Sequence, residues 1–257
     1  METSRLKTIG VFLARYATYL LGSGVHTSRT VRNTKRIAEA LGVEAHITTL
    51  MRTITLTVHD PTSGESITEV DDIPELPIRF TINSDLSALS WRAHDRRPDL
   101  ATLQHEFDTI CQRAEKQSTW WVVLLISFSN ACFCRLFGGD PYAMLFVFAA
   151  TGLGFLVRKW FVHRLHTNFY IATTLAALIS SFVASCATLV PQALSEIAVA
   201  TSVLYLIPGV PLINGTIDIV DGHILSGASR LTKASLIIIC IATGLALTLM
   251  LTRRTLL

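Results

Sequence analysis

Glu115-Lys116-Gln117-Ser118-Thr119-Trp120-Trp121-Val122-Val123-Leu124-Leu125-Ile126 passes from charged to apolar within a few residues. Before it lie most of the ionisable side chains of the 257-residue chain; after it come five long apolar runs with almost no charge. A helix needs about 20 mainly apolar residues to cross roughly 30 Å of hydrocarbon. Residues 120–137, 141–157, 168–190, 196–217 and 234–252 are the candidate spans, the second short and the fourth interrupted. Helices of a soluble protein keep a polar face. Five runs without one predict an α-helical polytopic membrane protein with about five transmembrane helices in residues 120–257. Residues 1–119 read as an N-terminal cytoplasmic α/β domain.

The net charge of +3 is too small for a nucleic-acid binder, and the basic residues flank the apolar runs, where membrane topology accounts for them. The N-terminus, from Met1 to Leu6, lacks the basic-then-apolar pattern of a secretory leader, so the first half is expected to stay in the cytoplasm. Cys111, Cys132, Cys134, Cys186 and Cys240 are odd in number and without ligand spacing. They read as packing residues, with no metal or cofactor implied.

In the first half, Leu6, Ile9, Leu13, Ala17 and Leu20 mark a helix over 5–21, stopped by Gly22-Ser23-Gly24. A second helix runs from Thr27 to Leu41 with Gly42 as terminator. Its other face, Arg29, Arg32, Lys35 and Arg36, is either solvated or in contact with anionic headgroups. Threonine-rich residues 47–58, a turn at 61–64 and residues 67–70 predict a hairpin or small sheet, with 78–82 as a possible further strand. Helices follow over 85–93 and 98–116, the latter including Ala114. His59-Asp60 is a conceivable catalytic pair, but a strand end entering a turn explains it more simply, and no nucleophile motif accompanies it.

Orientation follows from counting Lys and Arg near the span ends. Arg113, Lys116, Arg158, Lys159, Arg164, Arg230 and Lys233 fall on one side, and Arg135, Arg253 and Arg254 on the other. This predicts a cytoplasmic N-terminus and a periplasmic C-terminus. The spans are rich in small and hydroxylated residues, such as Ser127, Gly152, Gly154, Ser180, Ser181, Gly244 and Thr248, which let helices approach closely. Asn130 stands out, since a primary amide is costly in hydrocarbon unless paired.

The fourth run contains Tyr205-Leu206-Ile207-Pro208-Gly209-Val210-Pro211-Leu212-Ile213-Asn214-Gly215. Pro208 and Pro211 lack an N–H and clash with a preceding helical turn, while Gly209 and Gly215 loosen the backbone. Backbone opened at membrane depth is tolerated where it is buried or lines a wet cavity, as in the discontinuous helices of transporters. A plain structural kink is the competing account. Asp218 and Asp221, three residues apart, share a helical face and suit a proton or a cationic group; an exposed cytoplasmic loop is the simpler reading. Glu196 is read as a helix cap, and His163 and His166 as solvated.

The segments Gly22-Ser23-Gly24-Val25-His26-Thr27-Ser28-Arg29-Thr30, Ala40-Leu41-Gly42, Ala131-Cys132-Phe133-Cys134-Arg135-Leu136 and Pro208-Gly209-Val210-Pro211-Leu212-Ile213-Asn214 stand in this order. Over nearly the whole chain this resembles the N-terminal part of the threonine/serine exporter family, in particular a split-gene branch that includes a succinate-export subunit. The resemblance implies export of small amino acids or dicarboxylates across the bacterial inner membrane. Single-chain members carry a second hydrophobic half, whereas this sequence stops at Leu257. A separate small multi-span membrane subunit is therefore the expected partner.

The function expected is thus that of a transporter subunit driven by the proton gradient, because no nucleotide-binding motif is present to couple ATP. Asn130, Pro208, Gly209, Pro211, Asn214, Asp218 and Asp221 are the candidate pathway residues. One rival is a non-transporting sensor or assembly subunit; another is a membrane-anchored hydrolase, for which no nucleophile–base pair stands out.

Overall fold

Residues 2–50, 52–113 and 118–255 are described by the computed structural model. Ala114 and Lys116, expected at the end of the last helix of the first half, lie outside the described residues, as do the side chains of Arg253 and Arg254. Packing groups Met1–Glu115 with Val210–Thr232 in one compact unit, and Lys116–Gly209 with Lys233–Leu257 in a second.

The first unit is organised around α1, Glu2–Gly22, whose Leu6, Ile9, Leu13, Tyr16, Ala17 and Leu20 form a buried stripe at helical spacing. A meander of β1 (Glu44–Leu50), β2 (Thr53–His59) and β3 (Ser66–Asp72) packs on it. All pairs are antiparallel, with Ala45 opposite Val58 and Val58 opposite Ile67. Period-two alternation puts Ile54, Leu56 and Val58 fully inside and the intervening threonines of β2 outward. The turn after His59 accounts for Asp60, whose carboxylate accepts the Thr62 N–H at 2.8 Å, while His59 bonds Ser66 across the hairpin.

Helix α2, Thr27–Ala40, ends where Gly42 turns to φ +78°. The Gly42 and Val43 N–H groups return to Glu39 and Ala38 carbonyls, the left-handed closure that glycine permits without steric cost. Two of the four residues on its basic face touch other side chains of the same unit. Arg36 lies over the Trp91 ring at 3.6 Å and donates to Ser90, and Arg29 donates to Ser87.

Residues 78–82 do not form a strand. Phe80 begins α3, Phe80–Arg96, whose buried Ile82, Leu86, Leu89 and Ala93 follow a helical spacing that a five-residue window cannot reveal. Helix α4, Leu100–Gln112, starts one residue after the Asp99 cap, which accepts the Thr102 N–H. Its Phe107 sits fully buried against Phe12, Tyr16 and Tyr19. The Tyr16 hydroxyl, buried with them, is satisfied by the Leu86 carbonyl at 2.7 Å, and burial raises its pKa.

The second unit reverses this packing rule. Its helices are α5 (Thr119–Leu136), α6 (Pro141–Arg164), α7 (Phe169–Ser185, extended by a 3-10 turn to Leu189) and the short α8 (Ser195–Thr201), together with the length of α10 (Ile224–Thr255) beyond Thr232. Alanine, serine and threonine fill the interior, including Ala143, Ala150, Ala176, Ala177, Ser180 and Ser181. Trp120, Trp121, Leu125, Phe128, Leu136 and Leu145 face outward. Small residues inside and large apolar ones outside suit a bundle solvated by lipid, where close backbone approach drives association. Gly244 illustrates this: a Cβ there would lie 2.5 Å from the Thr174 carbonyl, and one turn on Thr248 bonds Ser181 at 2.7 Å. Asn130 is paired in the same way, donating to Thr151 at 2.7 Å and to the Thr201 carbonyl at 3.1 Å.

Four helices, Thr119–Leu136, Pro141–Arg164, Phe169–Leu189 and Ile224–Thr252, are long and apolar enough to cross a bilayer, and a fifth crossing results if the broken pair Ser195–Leu206 and Gly209–Val220 counts as one. The span expected to be short is not. Asp140 caps α6 through the Ala143 N–H, Pro141 takes its first turn, and the helix continues past Arg158 and Lys159. Glu196 is no cap; it lies in the first turn of α8, behind Leu194, with no side-chain cap bond.

Candidate functional site

The proline-rich stretch is a discontinuity between two helices, not the plain kink that is the competing account. Ile207, ahead of Pro208, is extended at ψ 100°, as steric contact with the following proline ring favours. A new helix, α9, begins at Gly209 and runs to Val220. Pro211 therefore sits in a first turn, where its missing N–H costs no hydrogen bond. Helix α9 ends at Gly222, φ +89°, with the Gly222 and His223 N–H groups returning to the Ile219 and Asp218 carbonyls. Helix α10 then folds back along it. A Cβ at Gly227 would lie 2.6 Å from both the Gly215 carbonyl and Ile219, so Gly215 serves close helix contact rather than looseness.

This hairpin meets the segment before α2 through a ladder of side-chain bonds. Asn214 Nδ2 donates to the Gly24 carbonyl at 2.6 Å, and Arg230 Nη2 donates to the Val25 carbonyl at 3.0 Å. Asp218 accepts from the Thr27 N–H at 2.7 Å and the Thr27 hydroxyl at 3.0 Å, and Ser28 donates to Asp221. Thr49 on β1 is bonded to Ser226. Asp218 is not in an exposed loop: its side chain has 0% exposure and pairs with Arg230 Nε at 3.2 Å, the latter 22% exposed. A carboxylate at the start of α2 also meets the positive end of that helix, an arrangement that favours its charge. Asp221, by contrast, is exposed.

His26, at the N-cap position of α2, has a buried Nδ1 without a hydrogen-bond partner. Burial holds its pKa below the ordinary 6.5, outweighing the upward pull of Asp218 and Asp221, while Arg32 and Arg29 add to the depression. Beside it opens a cavity of about 380 Å³ lined by Gly24, His26, Arg29, Phe80, Asn83, Ser84, Val210, Ile213 and Asn214.

Of the sequence-predicted pathway residues, Asn214, Asp218 and Asp221 are thus brought onto one hairpin face, Pro211 lies a turn before them, and Pro208 and Gly209 form the break. Asn130 belongs to the second unit. Thr27, His26 and Arg230 were not singled out by sequence.

The family model described as "Putative threonine/serine exporter" matches residues 11–252. The chain belongs to the threonine/serine exporter family. This exporter-family chain is 29% identical over 259 residues to the "Probable succinate transporter subunit YjjP" of Klebsiella aerogenes, covering 96% of each chain. It is 27% identical over 257 residues to the protein of the same name from Escherichia coli, covering 97% of each. No solved structure matches it. Family membership and the lipid-type packing of the second unit together mark a membrane transport protein. The residues matched include both the 22–30 segment and the 208–230 hairpin that form the ladder.

Proposed function

We propose that the chain is one subunit of a secondary transporter of the bacterial inner membrane that exports a small carboxylate or amino acid, either succinate-like or threonine- and serine-like. A separate small multi-span membrane subunit works with it; the word "subunit" in the names of both relatives supports that part of the reading. Residues 1–119 face the cytoplasm and the C-terminus faces the periplasm.

The observation that carries the proposal is Asp218, a fully buried carboxylate ten residues after Pro208, balanced by Arg230 in the next helix. Ionisable groups in otherwise apolar helices are expensive and mark ion or substrate pathways. In this mechanism the break at Pro208, Gly209 and Pro211 exposes helix ends, and Asn214 helps to hold the substrate. Asp218 or Asp221 takes part in coupling, through the ladder that ties the hairpin to Thr27, Ser28 and Arg230. Asp221 contributes through Ser28, and Asn130 keeps the span bundle in register.

Reconstitution tests the proposal. Proteoliposomes carrying this chain alone, the small subunit alone and both are loaded with labelled succinate, threonine or serine. Flux of one of these only when both are present is expected. Equal flux from the small subunit alone would reduce this chain to a sensor or assembly factor.

A further inference from the structure

The cavity beside His26 has an electrostatic character that its lining residues reveal when taken by element. His26 and Arg29 come from the start of α2, Phe80, Asn83 and Ser84 from the start of α3, and Val210, Ile213 and Asn214 from the start of α9. Three helix amino-termini therefore converge on one space. Each presents the positive end of its dipole, the Thr27 N–H being already taken by Asp218 and Pro211 having none. The one cation in the lining is Arg29. Its Nε is oriented by the Ser87 hydroxyl at 3.1 Å, which Asn33 also holds, and among the described residues no carboxylate lies within ion-pair distance of it. The His26 Nδ1 is the buried polar atom here that still lacks a partner. Asp218, a buried acid on α9, is already balanced by Arg230 and hydrogen-bonded by Thr27. The volume falls within the range of small-ligand sites.

We infer that this cavity is a carboxylate-binding site, in which Arg29 takes the carboxylate of a small metabolite while His26, Ser84 and Asn214 offer polar contacts to the rest of it. The inference rests on the transporter reading and deepens it, since the site would load substrate onto the element that moves with Asp218. A single guanidinium suits one carboxylate, and the neutral polar groups opposite accept either an ammonium-bearing or a second acidic end. The same site thus serves a dicarboxylate or a hydroxy amino acid.

Titration calorimetry of the purified full chain in detergent, with succinate and with L-threonine, tests this. Binding of at least one of them is expected, weakened about tenfold or more in Arg29→Gln, because a charge-assisted bond is lost. Lys35→Gln, exposed on the same helix, should bind as the unaltered chain does. Ser84→Leu, at an exposed position, should block the cavity without touching the cation, which guards against a folding defect in the arginine variant. Unchanged affinity in both Arg29→Gln and Ser84→Leu, equal loss in Lys35→Gln, or no binding of either compound would overturn the site. Binding with these expected losses but no flux from the two-subunit liposomes would sink the transporter reading and leave the cavity standing. Flux with unchanged binding in the variants would do the reverse.

Discussion

Asp218 and Asp108 show how differently two acids of one chain are valued by their surroundings. Asp108 pairs with Arg15 at 2.9 Å, but both side chains are largely exposed at 41% and 60%, and such a pair contributes about 0–1 kcal/mol. Asp218 has no exposed surface, so removing it strands Arg230 and costs on the order of 3–5 kcal/mol. His26 provides a test at the same scale. Its folded pKa lies below 6.5, so below that pH the unfolded chain binds the extra proton first. Its contribution is complete above pH 6.5 and is lost as the pH falls towards the folded value. Melting of the purified chain should therefore occur at lower temperature at pH 5.5 than at 7.5, and His26→Gln should shrink that difference. An identical difference in the variant would show that His26 does not sense the pH.

The α9–α10 hairpin is the element on which the site depends. The break ahead of it was legible in the sequence, since Pro208-Gly209 interrupts an apolar run. The role of Gly215 was not, because its partner Gly227 comes from the returning helix and no local pattern names it. The same holds for Arg230, which in sequence counts merely as one more basic flank. Residues 78–82 misled for a related reason: Ile78, Phe80 and Ile82 alternate, and the helical stripe appears only when Leu86 and Leu89 are added. A leucine at Gly227 must displace the Gly215 backbone, so Gly227→Leu is expected to cost at least about 1–3 kcal/mol and to lower the folded yield sharply on size exclusion. Ala228→Leu, exposed one position on, should leave the yield unchanged. Equal yields from the two would mean that the helices do not pack as described.

Over the whole molecule two packing regimes coexist, and composition revealed both. Leucine, isoleucine and phenylalanine fill the first unit, whereas alanine, serine and threonine fill the second. The onset of the first apolar helix, Thr119–Leu136, was legible because lipid and water select opposite surfaces. Grouping of Val210–Thr232 with the N-terminal segment was not, since it is made by hydrogen bonds between residues some 190 positions apart. Helix α10 is about 48 Å long at 1.5 Å per residue, well beyond the hydrocarbon thickness, so its first turns are free to belong to the polar ladder. That ladder is what the transport account makes responsible for coupling. Substrate flux through two-subunit proteoliposomes carrying Asp218→Asn, with folding checked by size exclusion beforehand and insertion by flotation of the vesicles afterwards, tests it most directly. The account predicts a correctly inserted protein whose flux falls to a few per cent or less of the unaltered rate, roughly the loss that 2–3 kcal/mol of coupling implies. Flux at the unaltered rate from that variant would contradict it.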